Sequence, residues 1–127
     1  MTSLARPRVL VAEDHPEVAK AVCRLLALEC DIVGHVEDGS AALEAAQRLQ
    51  PDVIVIDLNL PHVNGLEACR QITQVNPAIK VIVFTATNDP DVRERAFELG
   101  ASAFVSKTAP DGNLLSTVKR LWTDPSR

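Results

Sequence analysis

The sequence predicts an α/β domain in which a parallel sheet of five strands is covered by helices on both faces. Short runs rich in valine and isoleucine alternate with longer segments of helical periodicity, which is the pattern of βα units. The run Val53–Ile56 is apolar at every position, as is typical of a strand buried on both faces. A chain of 127 residues with 46% hydrophobic residues has the size of one domain that can bury such a core.

Two strands and two helices precede this central run. Residues 8–12 form the first strand, and residues 31–36 form a second strand that a glycine and a histidine interrupt. Pro16 suits the first turn of one helix, and Asp38 opens the next. The apolar stripes of these helices are Val18, Val22, Leu25 and Leu26 in the first and Ala42, Ala45, Ala46 and Leu49 in the second.

Three helices and two strands follow the central run. A third helix over residues 66–75 ends before Pro77, and residues 80–84 form a fourth strand. A fourth helix begins at Pro90 and ends at Gly100, which suits a left-handed cap. The remaining elements are a fifth strand at residues 102–106 and a last helix at about residues 111–122, with apolar positions Leu114, Val118 and Leu121.

The composition of the strands predicts their order in the sheet. Strands one, three and four are the most continuously apolar and belong in the centre, whereas strands two and five contain Gly, His or Ser and belong at the edges. With right-handed crossovers this gives a flavodoxin-like (βα)5 fold, a doubly wound sheet of order 2-1-3-4-5. The winding reverses between strands one and three, where ligands bind in such sheets. Glu13, Asp14 and Asp57 follow these two strands and are predicted to meet there.

Composition and charge argue against several classes of function. A net charge of −4, a pI near 5.3 and the lack of a basic run argue against unaided nucleic-acid binding, which needs a basic face. No apolar stretch has the length of a membrane span, and the first residues lack the apolar core of a signal peptide, so we expect a cytoplasmic protein with no membrane partner. Cys23, Cys30 and Cys69 lack paired metal spacing and are expected to be free thiols.

The three carboxylates at the predicted crevice favour a cation site. They repel one another unless something compensates their charge, and oxygen ligands without Cys or His favour Mg²⁺ or Mn²⁺. Thr85 and Lys107 follow strands four and five, so a hydroxyl and an ammonium are expected at the same edge. Together these groups suit a phosphoryl group, with Asp57 as the nucleophile that accepts it.

Each residue also has a plain structural interpretation. Glu13 and Asp14 suit the first turn of a helix, where negative charge is favoured. Thr85 could be an ordinary hydroxyl after a strand, and Lys107 a solvated charge. His15 is interpreted as the start of the first helix rather than as a metal ligand, because no second His or Cys accompanies it in sequence. The joint placement of these side chains at strand ends favours the functional interpretation.

In this order and spacing, the segments resemble the receiver domain of bacterial two-component response regulators. The resemblance covers residues 8–122, between an expected flexible tail at residues 1–7 and a tail or linker start at residues 123–127. The stretches after strand one and along strand five look most like the NarL/LuxR-type subfamily, which carries a helix-turn-helix output domain. The matching segments are VLVAEDHP (9–16), DVIVIDLNLP (52–61), NGLE (64–67), VIVFTA (81–86) and GASAFVSK (100–107).

The resemblance implies that Asp57 accepts a phosphoryl group from the phosphohistidine of a sensor histidine kinase or phosphotransfer protein. It also implies a Mg²⁺ or Mn²⁺ ion, held directly by Asp14 and Asp57 and through water by Glu13. The backbone carbonyl of Asn59 would complete the ligands from the protein.

The resemblance further implies that Lys107, the Thr85 hydroxyl and the Ala86 backbone N–H bind phosphoryl oxygens. Thr85 and Phe104 would form a switch, because movement of Thr85 toward the phosphoryl group opens space into which Phe104 rotates. The surface of the fourth helix, fifth strand and fifth helix would change as a result. Phe104 also suits a plain core position on an edge strand, and that interpretation stays open.

By the resemblance, the domain is a phosphorylation-controlled signalling module whose chemistry is limited to its own phosphorylation and dephosphorylation, so it is not an enzyme acting on others. The expected output is control of transcription, with homodimerisation on phosphorylation and with DNA contacted only through an output domain absent from these residues. A stand-alone receiver and one cut from a DNA-binding regulator both stay open. The alternative function is a receiver-shaped interaction scaffold that acts without phosphorylation.

Sequence features argue against two other functions, and two residues depart from the family pattern. A phosphohydrolase is disfavoured because Asn59 stands where such enzymes place a second Asp, and a flavin-binding domain because no phosphate loop follows strand one. Thr108 follows Lys107 where many receivers have a cis proline, which leaves the backbone conformation there open. Thr87 is neither acid nor amide and is poorly suited to orient an attacking water, so we expect the acyl phosphate to live longer than in family members that have Glu at this position.

Overall fold

The computed structural model describes residues 5–108 and 113–122, and within them five strands alternate with five helices. The alternation agrees with the pattern that the sequence predicts. The strands are β1 (Arg8–Ala12), β2 (Asp31–Val36), β3 (Val53–Ile56), β4 (Lys80–Thr85) and β5 (Ala103–Ser106). The helices are α1 (Pro16–Ala27), α2 (Gly39–Leu49), α3 (Gly65–Val75), α4 (Pro90–Glu98) and α5 (Leu114–Leu121).

The five strands form one parallel sheet in the order β2-β1-β3-β4-β5, which confirms the predicted topology. Strands β1 and β3 are neighbours, and Ala12 lies opposite Ile56 at their carboxyl ends. The backbone N–H of Asp57 donates to the carbonyl of Ala12 at 3.0 Å, so the pairing continues one residue past β3. Residues that follow β1 and β3 therefore start side by side at the point where the winding reverses.

Helices cover both faces of the sheet, because the interior positions of the central strands are apolar and offer side chains to each face. One core packs the strand residues Leu10, Ile54, Ile56, Val81 and Val83 against buried residues of α2, α3 and α4. The other core packs Val9, Val11, Val53, Val55 and Ile82 against buried residues of α1 and α5.

The three cysteines are free thiols, as predicted. Cys30 and Cys69 are buried, and Cys23 is half-buried. Burial raises the pKa of Cys30 to about 11 and that of Cys69 to about 11. These thiols act as small apolar groups in the core rather than as nucleophiles.

Polar groups at the helix ends explain where the elements begin and stop. The Asp38 carboxylate accepts from the Ala41 N–H at 2.7 Å at the start of α2, and the Asn64 side-chain oxygen caps α3 in the same way. The Arg8 guanidinium donates to the carbonyls of Leu49 and Gln50, so it satisfies the carboxyl end of α2.

Residues at the described end of the predicted N-terminal tail form hydrogen bonds to the domain, and the flexibility of the tail stays a prediction. Arg6 donates to the carbonyl of Ala27 at 2.7 Å, and the carbonyl of Pro7 accepts from the N–H of Asp31 at 2.9 Å. These bonds join the start of β1 to the end of α1 and the start of β2. The tail residues 1–4 and the predicted tail or linker at residues 123–127 lie outside the described residues.

Several element boundaries differ from the predicted ones by about one residue. Strand β4 includes Thr85, and α3 includes Gly65. Gly100 has φ of +110°, which confirms the predicted left-handed cap after α4. Helix α5 begins at Leu114, and the predicted first turn at residues 111–112 falls among residues 109–112, outside the described part. No helix in the described ranges combines the length and the apolar character needed to cross a membrane.

Candidate functional site at the carboxyl ends of the strands

The acidic side chains that follow β1 and β3 meet at the carboxyl edge of the sheet, as the sequence predicts. Glu13 and Asp57 are each only 3% exposed, which is unusual for carboxylates. One Asp57 oxygen, Oδ1, accepts from the backbone N–H of Asn59 at 3.2 Å. Two buried carboxylates at one place require compensation by positive charge.

Lys107 supplies that charge. Its Nζ lies 2.5 Å from Glu13 Oε1 and 2.9 Å from Asp57 Oδ2, so one ammonium joins the ends of β1, β3 and β5. The Lys107 backbone N–H donates to the carbonyl of Thr85 at 2.7 Å, which holds the loop after β5 against the end of β4. Burial lowers the pKa of the Lys107 ammonium, but hydrogen bonds to Glu13 and Asp57 outweigh burial and raise it above the usual value.

Asp14 is the member of the acidic set that lacks compensation. Its Oδ1 is buried and has no hydrogen-bond partner among the described residues. The Nδ1 of His15 lies 3.3 Å from this oxygen, but not in hydrogen-bonding geometry. A buried carboxylate oxygen without a partner is costly, and a bound cation would satisfy it.

The residues present fit a divalent cation. One potential ligand atom from each of Glu13, Asp14, His15 and Asp57 lies within 4.8 Å of the others. Three of the four are carboxylate oxygens, the ligands that Mg²⁺ and Mn²⁺ prefer. The orphaned Asp14 oxygen adds an independent reason, because it points to a ligand that the protein itself does not provide.

Thr85 lies at the same edge, at the end of β4. It is fully buried, and its Oγ1 accepts from the Thr87 N–H at 3.5 Å. A cavity of about 360 Å³ opens beside it. The lining residues are Leu58, Asn59, Asn64, Leu66, Thr85, Thr87 and Val92.

Phe104 lies on β5, two strands away from Asp57, and is half-buried against the core of α2, α3 and α4. The guanidinium carbon of Arg93 on α4 is 5.8 Å from the centre of the Phe104 ring and 5.5 Å from that of Phe97. Arg93 therefore lies at cation–π distance from both rings. The switch role of Phe104 and the ligand roles of Asn59 and Ala86 stay predictions.

Two residues at the site have roles that the sequence analysis did not assign. His15 is the N-cap residue of α1, as expected for a helix start, but its Nδ1 also lies 3.2 Å from Glu13 Oε2. Its position directly after Glu13 and Asp14 was the signal that could have placed it at the site. Gly65 begins α3, and a Cβ there would lie 2.2 Å from the backbone oxygen of Asp57. Only a glycine allows α3 to start this close to the candidate acceptor.

Comparisons with known proteins give the family. A model of the response regulator receiver domain matches residues 9–119. Among curated proteins, the transcriptional regulatory protein DegU of Brevibacillus brevis is 34% identical over 114 residues, which cover 88% of this chain and 48% of DegU. The transcriptional regulatory protein CutR of Streptomyces coelicolor is 37% identical over 114 residues, covering 90% of this chain and 52% of CutR. The chain thus spans about half the length of these relatives.

Solved structures agree with this result and with the predicted subfamily. A LuxR-family two-component response regulator from Aurantimonas superimposes with a TM-score of 0.87 at 29% identity, over 92% of this chain and 85% of that one. A LuxR-family DNA-binding response regulator from Staphylococcus aureus superimposes with a TM-score of 0.85 at 26% identity, over 91% of this chain and 98% of that one. The chain therefore belongs to the family of response regulator receiver domains.

Proposed function

We propose that this receiver domain is switched by a phosphoryl group on Asp57, transferred from the phosphohistidine of a sensor histidine kinase or a phosphotransfer protein. The observation that carries the proposal is the setting of the Asp57 carboxylate. It is almost fully buried at the end of a central strand, with Lys107 Nζ at 2.9 Å and the acidic set of Glu13 and Asp14 beside it.

In the proposed reaction, a carboxylate oxygen of Asp57 attacks the phosphorus atom of the phosphohistidine. The new P–O bond forms as the P–N bond breaks, and the imidazole of the donor leaves with the electron pair and takes up a proton. The product is an acyl phosphate on Asp57. Hydrogen bonds from Asn59 and Lys107 to the two carboxylate oxygens support this role, because they hold the carboxylate in one orientation before the donor arrives.

Asp14 and Asp57 would hold a Mg²⁺ or Mn²⁺ ion directly and Glu13 would hold it through water, with the backbone carbonyl of Asn59 as a further ligand. When bound, this ion offsets the negative charge of the phosphoryl oxygens and the carboxylates. Lys107 would move its ammonium from Glu13 and Asp57 to a phosphoryl oxygen. The Thr85 hydroxyl and the Ala86 N–H would bind other phosphoryl oxygens.

The proposed output is a change in the surface formed by α4, β5 and α5. Thr85 would move toward the phosphoryl group, and Phe104 would rotate into the space that Thr85 leaves. The fully buried position of Thr85 supports this coupling, because its movement leaves a gap in a packed interior. DegU and CutR are transcriptional regulatory proteins, which favours transcription as the process controlled, with homodimerisation and an attached DNA-binding domain as the expected means. The cytoplasmic location stays a prediction.

The proposal is tested by intact mass after incubation with acetyl phosphate, with and without Mg²⁺ or Mn²⁺. We expect one phosphoryl adduct on the wild type that requires the ion, and none on Asp57→Asn. The side-chain amide oxygen of that variant would still accept from the Asn59 N–H, so the variant is expected to fold. Asp38→Asn is the matched control. Asp38 caps α2 outside the site, and asparagine caps a helix as well as aspartate does.

Other outcomes would contradict the proposal in different ways. An adduct that persists in Asp57→Asn would move the acceptor to another residue. A wild type that takes up no phosphoryl group from acetyl phosphate or from a purified kinase would favour the interaction scaffold, whose partner binds the unmodified surface.

A further inference from the structure

His15 has an unusual position for a residue whose expected role is to start a helix. Its Nδ1 lies 3.2 Å from Glu13 Oε2 and 3.3 Å from Asp14 Oδ1. Its backbone N–H donates to the same Glu13 oxygen at 3.1 Å. The ring nitrogen thus faces two carboxylates of the proposed cation site rather than the N–H groups at the start of α1.

The imidazole is not required for capping. His15 is the N-cap residue of α1, but its side chain makes no capping hydrogen bond, and Pro16 supplies a first helical residue without an N–H to satisfy. The side chain is 67% exposed, so the ring can turn without disturbing the core. With its hydrogen on Nδ1 the imidazole donates to Glu13 Oε2 at 3.2 Å, whereas a neutral imidazole with its hydrogen on Nε2 would present a lone pair on Nδ1 to a cation.

The remaining histidines differ from His15 in this respect. His35 is on β2, which lies on the far side of β1 from β3, and its Nε2 is 2.9 Å from the backbone oxygen of Glu13 rather than from a carboxylate of the cluster. His62 is exposed in the loop between β3 and α3. Within the described residues, the metal-ligand cluster at the carboxyl edge includes only one histidine, His15.

We propose that His15 Nδ1 is a ligand of the divalent cation at this site and that it raises the affinity for ions that accept nitrogen ligands relative to Mg²⁺. The inference rests on the cation site of the proposed function but not on phosphoryl transfer. Carboxylates alone bind hard ions, whereas an imidazole adds affinity for Ni²⁺, Co²⁺ and Zn²⁺. Mg²⁺ gains little, because it keeps water in preference to a nitrogen ligand.

The test compares wild type, His15→Gln and the control His62→Asn at one pH and without phosphodonor. The EPR signal of free Mn²⁺ separates bound from free ion and gives the Mn²⁺ dissociation constant of each variant. The concentrations of Ni²⁺ and of Mg²⁺ that release half of the bound Mn²⁺ then give the dissociation constants of these ions, corrected for any change in Mn²⁺ affinity. We expect His15→Gln to raise the Ni²⁺ dissociation constant by about tenfold or more, as the loss of a group at a metal site does. The Mg²⁺ dissociation constant should change by less than about twofold. Asparagine suits the left-handed backbone of residue 62, so His62→Asn should match wild type.

A second measurement is independent of affinity. Pulsed EPR of bound Mn²⁺ should show coupling to a directly bound imidazole nitrogen in wild type and in His62→Asn, and this coupling should be absent in His15→Gln. If the coupling persists in His15→Gln, or if that variant raises the Ni²⁺ and Mg²⁺ dissociation constants equally, His15 is not a ligand. The wild type's response to acetyl phosphate is read separately, so failure of phosphorylation and failure of this inference are distinguishable.

Discussion

Lys107 Nζ lies 2.9 Å from Asp57 Oδ2 although the two residues are 50 positions apart in the sequence. The same ammonium is bonded to Glu13, 94 positions away. Among the described residues, no other lysine or arginine pairs with either of these buried carboxylates. In the absence of a metal ion, Lys107 therefore carries most of the charge compensation at the site.

Replacing Lys107 with methionine should destabilise the domain. The change keeps most of the apolar stem but leaves Glu13 and Asp57 without their cation. Breaking a fully buried pair costs about 3–5 kcal/mol, and because the Lys107 side chain is 17% exposed we expect a loss of about 2 kcal/mol in unfolding free energy. Urea denaturation measures the loss, and added Mg²⁺ should restore part of it by binding the folded state.

Lys119→Met is the matched control. Lys119 Nζ lies 2.7 Å from Glu29, a similar distance, but both side chains are about half exposed. Such a surface pair contributes less than about 1 kcal/mol. An equal loss of unfolding free energy in the two variants would show that burial of Glu13 and Asp57 does not increase the contribution of Lys107. That result would contradict the proposed charge compensation.

The contribution of Lys107 should also depend on pH, with a defined sign. Its pKa is raised in the folded protein above 10.5, so its stabilisation is fully present below that pH and is lost as the pH rises through the folded value. The difference in unfolding free energy between wild type and Lys107→Met should therefore be constant up to about pH 10 and shrink above it.

Deprotonation of the buried thiols also lowers the unfolding free energy at high pH. The prediction therefore concerns the difference in unfolding free energy between wild type and Lys107→Met. The pKa of Cys30 and that of Cys69 are raised from 9.0 to about 11 by burial, so stability falls across that range in both proteins. This fall cancels in the comparison with Lys107→Met. A difference that does not shrink above about pH 10 would contradict the proposed charge compensation.

The sequence predicts the sheet and the acidic edge because both depend on local patterns. The all-apolar run Val53–Ile56 defines a central strand, and a parallel sheet necessarily brings the residues after β1 and β3 to one edge. The contact of Lys107 with Glu13 depends on a side-chain conformation across three strands. The position of His15 Nδ1 depends on how α1 leaves β1. Patterns of residue type carry no information on such distances.

Gly65 is a second feature that only the packing of the chain reveals. A Cβ at this position would lie 2.2 Å from Asp57 O and 2.7 Å from Leu58 Cα, which are backbone atoms. Gly65→Ala should therefore displace the start of α3 or the loop after β3 and cost about 3 kcal/mol of unfolding free energy. Thermal or urea unfolding measures this cost directly.

Gly34→Ala provides the comparison for Gly65→Ala. A Cβ at Gly34 would approach only the methyl ends of Leu49 and Leu10, at 3.1 and 3.2 Å, and these side chains can adjust. The expected change in unfolding free energy is under about 1 kcal/mol. Alanine loses less backbone entropy on folding than glycine does, which offsets part of the cost of moving the two leucine side chains. Similar losses in the two variants would mean that backbone contact at Asp57 is not the cause.

Arg93→Ala should favour the switched state, if the proposed rotation of Phe104 holds. The Arg93 guanidinium lies over the Phe104 ring in its present position, and an exposed cation–π contact contributes about 0.5–1 kcal/mol. Loss of that contact should raise the population of the rotated state and the rate of phosphoryl uptake from acetyl phosphate by about two- to fivefold. The rate is followed by intact mass. Arg95→Ala is the control, since Arg95 pairs with Glu98 on the same helix; equal rates in the two variants would exclude a role for Arg93.

Thr87→Glu should shorten the life of the acyl phosphate. Thr87 lines the cavity beside Thr85 and Asn59, and its short hydroxyl is bonded to the Asp89 N–H, so it offers no carboxylate to orient an attacking water. A glutamate there could accept a proton from that water and speed hydrolysis by at least about tenfold. Decay of the adduct is measured by mass after removal of the phosphodonor. Thr87→Val removes the hydroxyl without adding a carboxylate and should decay like wild type. An unchanged lifetime in Thr87→Glu would mean that this position does not control hydrolysis.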